Sequence, residues 1–388
     1  MNNDHPIYLD NNATTEMDRR VFEAMIPYFI NKFGNPSSAE HIFGVTASSA
    51  VEEARCKVAL AIGAAPEEIF FTGSCTESDN LAIIGTVRAT GSPQHIITSK
   101  IEHPAVLESF RQLESEGHRV TYLPVDDCGK IRLEELEATL KRERVFLVSI
   151  MGANNEVGTL QPLSEISILC RNNGALFHSD LAQMPSYFKI SVNTLGLDLA
   201  SFSGHKINGP KGVGILFVRR QRPRIKLLPL SWGGGHERGL RNGTLNVPLI
   251  VGMGVAMEIA ASEYEQSNSI VTQRRELLKT ELSSSLTEVS FNGHSVERLP
   301  GNLSVSMTGI EPLALIRLLR NDVAFSASSA CSTQTVKTSH VLMAMFGDTP
   351  RARRAFRLSP SKTTSEAEIL HASKSIINGC AQLRTFSH

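Results

Sequence analysis

The chain lacks any close pair of cysteines: Cys56, Cys75, Cys128, Cys170, Cys331 and Cys380 are scattered over 388 residues. That excludes a zinc ribbon and a disulfide-stapled secreted framework, so no metal centre is expected and reduced thiols imply a cytoplasmic protein. Charge of one sign is also lacking, with 39 Lys and Arg against 39 Asp and Glu. No global field therefore draws the chain to nucleic acid or to an anionic membrane, and direct binding to either is not expected. No stretch approaches the roughly 20 apolar residues of a membrane span. The opening MNNDHPIYLDNNATT has neither the basic region nor the apolar run of a secretory leader. Internal repeats and low-complexity tracts are missing too.

What is present is an ordinary globular composition, 41% hydrophobic and 20% charged, long enough for two domains. Short apolar runs alternate with segments of helical period, the pattern of an α/β fold with a mainly parallel sheet. Seven strands are expected at 68–72, 95–99, 119–125, 144–151, 175–180, 199–204 and 212–218. Helices are expected between them at 45–62, 77–89, 104–116, 132–142 and 163–173, and a long linking helix at 248–286. The rest mixes strand-like and helical pieces, as in a smaller α+β domain. The expected division is a large cofactor-binding domain at 15–258 and a small domain of 1–14 with 259–388.

Several strand exits carry polar groups. Lys206 follows LASFSG and Asp180 ends ALFHSD, so a parallel sheet brings both to one crevice at its carboxyl edge. That pairing suits pyridoxal 5'-phosphate, which needs a lysine amine for attachment and a carboxylate on its ring nitrogen. Thr72-Gly73-Ser74-Cys75-Thr76-Glu77-Ser78, between a strand and a helix, is either a phosphate cup or an ordinary N-cap turn. Ser203 and His205 would complete such a cup. His103, at the exit of HIITS, is either structural or a ring stacked on the cofactor and able to move protons. Asn155 lies in a further exit loop. Arg351, Arg353, Arg354 and Arg357 form a basic cluster that reads as a solvated face.

Assembled, these residues resemble a cysteine desulfurase of the NifS/IscS type, in the class V branch of the fold-type I pyridoxal-phosphate enzymes. The likeness is carried almost end to end by YLDNNATT (8–15), FGNPSS (33–38), ESDNLAI (77–83), HIITSKIEH (95–103), NNEVG (154–158), SFSGHKINGPKGVG (201–214), GGGHERGLRNGT (233–244) and SSACS (328–332). The resemblance implies that Lys206 attaches the cofactor, Asp180 meets its ring nitrogen, Gln183 its ring oxygen and Thr76 its phosphate. It further implies a cofactor contact for His103, substrate contacts for Arg357, Asn155 and Asn12, and a sulfur-accepting Cys331 on a mobile loop of the small domain. A homodimer is implied as well, with Thr244 reaching the partner's phosphate. The substrate would be L-cysteine. The sulfur would pass to an acceptor protein serving iron-sulfur cluster assembly, tRNA thiolation or DNA phosphorothioation.

The chain departs from the family at three places. The segment Arg357-Leu358-Ser359-Pro360-Ser361-Lys362 stands where relatives carry R-x-S-L-G-R, one residue longer before the threonines. Met151-Gly152-Ala153 replaces the usual His-Val ahead of Asn154, and Ser179 and Leu181 flank Asp180. Cys75 stands in the phosphate turn in place of alanine, and is read as filling rather than as a second nucleophile. Selenocysteine lysis or another class V reaction is the alternative chemistry. A non-enzymatic scaffold would have no need of Lys206, Asp180, His103 and Cys331 together.

Overall fold

The computed structural model describes residues 5–220, 224–327 and 338–385. Cys331 lies outside them. The strands in chain order are β1 (Ile7–Tyr8), β2 (Ile69–Thr72), β3 (His95–Ser99), β4 (Arg119–Leu123), β5 (Leu147–Ser149), β6 (Leu176–Asp180), β7 (Leu199–Ser203), β8 (Gly214–Val218), β9 (Val289–Asn292), β10 (Leu303–Met307), β11 (Val323–Ala324), β12 (Ser326–Ala327) and β13 (Ala355–Leu358).

Seven of them form the expected central sheet, in the order β2-β8-β7-β6-β5-β3-β4. It is parallel except for β8, which runs antiparallel to both β2 and β7. Because β8 alone is reversed, β2, β3, β5, β6 and β7 all point the same way and deliver their following loops to one edge. Period-2 alternation feeds a core on each face. Phe70, Ile96, Leu147, Leu199 and Leu216 enter one, and Phe71, Ile97, Val148, Ala200 and Phe217 the other.

The helices are α1 (Arg19–Ile30), α2 (Ile42–Ile62), α3 (Cys75–Asn80), α4 (Thr86–Arg88), α5 (Pro104–Ser115), α6 (Leu133–Arg142), α7 (Leu163–Asn172), α8 (Val247–Ser285), α9 (Pro312–Leu319), α10 (His340–Phe346), α11 (Pro350–Arg353) and α12 (Glu366–Thr385). A π-helical turn at Leu81–Gly85 joins α3 to α4. Helix α8 is apolar enough over part of its 39 residues to pass for a membrane span by length and composition. Packing gives it another job. Ile250, Met253 and Met257 are buried in the core beneath α2, while Leu278 and Leu282 lie in a second core with Leu303, Phe356 and Ile369.

That second core backs a four-stranded antiparallel sheet, β12-β13-β10-β9. Strand β1 pairs in parallel with β11, and a bridge from Asp10 to Ser359 fastens the N-terminal segment just past the end of β13. Within the arginine cluster Arg351 and Arg353 are exposed, as a solvated face requires, whereas Arg357 is buried; the exposed pair also has partners within the chain. Arg351 donates to Asn292 Oδ1 at 2.9 Å and stacks over Phe346, and Arg353 pairs with Asp348.

Candidate active site

One cavity of about 410 Å³ gathers Asn12, Cys75, Thr76, His103, Asn155, Asp180, Gln183, Ser203, His205, Lys206 and Arg357, together with Asp10, Glu156 and Ser326. The strand exits thus bring their residues together at one edge. Asp180 closes β6, and Lys206 lies on a single helical turn directly after β7. His103 is the N-cap of α5, and its Nδ1 accepts the Ala105 N–H at 3.1 Å. In the neutral ring the proton therefore sits on Nε2. Burial holds the ring below the usual histidine range.

The Lys206 ammonium donates to the carbonyls of Asn12 and Ala13, both at 2.6 Å. Burial, with the Arg357 charge second, pulls this amine down to about 8. Asn12 works from both ends: its Nδ2 donates to Gln183 Oε1 at 2.9 Å while Gln183 Nε2 returns a bond to its carbonyl at 3.0 Å. The segment 10–15 is thereby fastened beneath the lysine. Asn208, in the left-handed region at φ 58°, turns the chain so that its N–H reaches Thr15 Oγ1 at 2.9 Å. His205 Nδ1 faces Thr14 Oγ1 at 3.1 Å, and burial, then the Lys206 charge, lowers its pKa to about 4.

Around Asp180 the carboxylate accepts the Ala182 N–H at 2.9 Å and the Cys75 thiol at 3.5 Å. Cys75, Asp79 and Asp180 place ligating atoms within 4.8 Å of one another. Burial first, then the Asp180 charge, drives both the Cys75 thiol and the Asp79 carboxyl well above their ordinary values. Cys75 is therefore held as a thiol. Opposite lies the turn before α3, where Ser74 caps the helix by accepting the Glu77 N–H at 3.1 Å. A Cβ on Gly214 of β8 would come within 2.4 Å of the Ser74 carbonyl carbon, so the turn rests directly on that glycine.

Arg357, on β13, projects its nearly buried guanidinium into the cavity from the smaller sheet. It donates to the Asn155 carbonyl at 3.0 Å and to Asp10 Oδ1 at 2.6 Å. Glu156 is half-buried and hydrogen-bonded by Ser339 Oγ; burial raises its carboxyl to about 7, against the lowering effects of that hydrogen bond and of the Arg357 charge. Asn154, by contrast, is a loop fastener: its Nδ2 donates to the Ile101 carbonyl at 2.9 Å. Thr244 is exposed and is not among the residues lining the cavity of its own chain.

Sequence reasoning gave no role to Asp10, Glu156 or Ser326. Asp10 does lie inside YLDNNATT, which was the available signal.

The family model for aminotransferase class-V matches residues 7–369. Cysteine desulfurase IscS of Rickettsia bellii is 46% identical over 383 residues, 98% of this chain and 93% of the relative. Among solved structures, a NifS-like protein superposes with a TM-score of 0.89 at 40% identity, covering 96% of this chain and 98% of that one. SspA in complex with cysteine superposes with a TM-score of 0.81 at 36% identity, covering 92% and 99%. With the same fold, and likeness over nearly its whole length, the chain belongs to the aminotransferase class-V family, among its cysteine desulfurases of the NifS/IscS type.

Proposed function

We propose that the chain converts L-cysteine to L-alanine with pyridoxal 5'-phosphate, Cys331 taking the sulfur as a persulfide and passing it to an acceptor protein. The observation that carries this reading is the junction in one cavity of Lys206 and Asp180 from the large sheet with Arg357 from the small one. The donor set fits the cofactor. An amine and a carboxylate face the same space, and a helix start with Ser74, Thr76, Ser203 and His205 lines its rim. Bound there, the cofactor supplies an electron sink for the carbanion at the substrate α-carbon.

The residues divide the remaining work. Lys206 attaches the cofactor and, with its amine lowered to about 8, takes the α-proton more readily than an ordinary lysine. Asp180 holds the ring-nitrogen proton, and Gln183 lies beside the ring oxygen. Arg357 binds the substrate carboxylate through its planar fork, with Asn155 and Asn12 beside it. His103 carries its proton on Nε2 and delivers it within the site. Cys331, as thiolate, attacks the substrate sulfur. The S–S bond forms, the C–S bond breaks, and the electron pair goes to the carbon skeleton, which takes a proton to leave alanine.

Thr244, exposed on its own chain, completes the phosphate cup of a second copy in a homodimer. The dispersed thiols support a cytoplasmic setting. The pairing of β1 with β11 supports grouping residues 1–14 with 259–388 as the smaller domain.

The test compares wild type with Cys331→Ala and Lys206→Ala by visible absorbance and by alanine and sulfide release from L-cysteine. The expected result is cofactor bound by wild type and Cys331→Ala, sulfide release abolished in Cys331→Ala, and covalent cofactor lost in Lys206→Ala. Sulfide release that survives loss of Cys331 would move the chain to another class V reaction.

A further inference from the structure

The buried guanidinium of Arg357 has a partner that the reading above does not use. Asp10 Oδ1 accepts from an Arg357 terminal nitrogen at 2.6 Å, and its other oxygen accepts the Ser326 hydroxyl at 2.6 Å. The backbone builds this contact. Asp10 bridges to Ser359 just past the end of β13, and Ser326 lies directly opposite Arg357 in the β12-β13 register. Three neighbouring positions on adjacent segments thus converge on one charge.

We propose that Asp10 is the positioning residue of the substrate-carboxylate site: it holds the Arg357 guanidinium toward the cavity while leaving free the donors that take the carboxylate. This rests on Arg357 being that site. A guanidinium has five N–H donors. Asp10 and the Asn155 carbonyl occupy one on each terminal nitrogen, and Nε is buried, with no partner among the described residues. The second N–H of each terminal nitrogen is left for an incoming carboxylate.

The sign of the effect follows from what surrounds the arginine. Asp10 carries a negative charge near the incoming carboxylate, so its removal would by itself favour binding. A buried cation that loses its partner does not stay in place, however. The neighbouring acid that feels the Arg357 charge is Glu156, itself a cavity residue. Without Asp10, the guanidinium swings to Glu156 and its free donors leave the substrate position. Positioning therefore outweighs repulsion, and affinity falls.

The experiment uses holoenzyme with Asp10→Ala, Asp10→Asn, Arg357→Ala and the double variant Asp10→Ala/Arg357→Ala. KM and kcat are measured for L-cysteine, and L-alanine binding is read from the cofactor absorbance. Asp10→Ala is expected to raise KM and the L-alanine Kd tenfold or more, with kcat within about twofold. Asp10→Asn keeps an acceptor for Arg357 and a donor for Ser326, so it is expected to show a smaller rise. In the Arg357→Ala background, loss of Asp10 is expected to add nothing, because it acts through that arginine. An unchanged or lowered KM in Asp10→Ala overturns the inference, as does an equal penalty in the presence and absence of Arg357. Should Asp10→Ala not fold, the same two criteria apply to Asp10→Asn. If Arg357→Ala itself leaves KM unchanged, the carboxylate assignment fails and the role of Asp10 falls with it; if only Asp10→Ala is silent, the assignment stands and the inference alone is lost.

Discussion

At the scale of single residues, the legible part of the site is the part that lies at strand ends. Lys206, Asp180, His103 and Asn155 follow runs whose period marks them as strands, and the carboxyl edge of a parallel sheet gathers whatever follows. Arg357 was placed only through its resemblance, because it arrives from another sheet. Asp10 and Ser326 were not legible, since their meaning depends on a contact spanning more than 300 residues of sequence. Asp79 and Glu102, given no role from sequence, are fully buried beside the site.

The same burial makes a prediction about Lys206. Its amine titrates near 8 in the folded chain against an ordinary 10.5. Between these values the unfolded state holds a proton that the folded state has lost, so folding gains stability as pH rises. Lys206→Met has no such group. In cofactor-free protein, the wild type is expected to gain unfolding free energy relative to Lys206→Met between pH 8 and pH 10. Urea unfolding of both at the two pH values checks it, and a constant difference would mean that the amine is not depressed.

At the scale of elements, strands and helices with clear periods were found within a few residues of their ends, and the exceptions have physical causes. The expected strand at 144–151 is β5 only over Leu147–Ser149: the Ile150 N–H still reaches the His178 carbonyl of β6, but the Met151 N–H turns to the Glu102 carboxylate and the ladder ends. The run expected as one helix at 77–89 contains the π-helical turn at Leu81–Gly85, which has no hydrophobic period of its own. Helix α1 was not read at all: Pro27 lies inside it, where a sequence reading expects a break, and apolar residues lie on its exposed side as well as its buried one. The antiparallel direction of β8 was equally hidden, since a strand buried on both faces looks the same in either sense.

That reversal gives Gly214 its place under the phosphate turn. In Gly214→Ala the new methyl meets the Ser74 backbone at 2.4 Å, and a backbone atom cannot swing aside as a side chain can. The turn must shift. Stability should fall by about 1–3 kcal/mol, as in other overpacked sites. Cofactor affinity should fall at least tenfold, because the displaced groups are the proposed phosphate donors. Cofactor titration followed by absorbance measures this. An unchanged affinity would separate the turn from phosphate binding.

At the scale of the whole molecule, the feature a lone chain leaves unexplained is a stripe of apolar side chains in solvent. Phe22, Ile26, Phe29, Ile30 and Phe33 follow one another at helical spacing along α1 and past its end, and Phe43 on α2 packs on Phe33 with ring centroids 5.5 Å apart. Phe33 is 67% exposed and Ile42 71%. Single exposed apolar residues are commonplace, but a contiguous aromatic patch marks a protein interface. A second copy is the occupant that also accounts for Thr244, which is exposed and does not line the cavity of its own chain. Covering the stripe and completing the phosphate cup would then be one event. Phe29→Glu with Phe33→Glu places two charges in the stripe without touching the cavity residues. Sedimentation is expected to show dimers for the wild type and monomers for the variant, and cofactor retained after gel filtration is expected to fall with the dimer. A variant that stays dimeric would move the interface elsewhere, and a monomer that keeps full cofactor affinity would remove the need for a partner's Thr244.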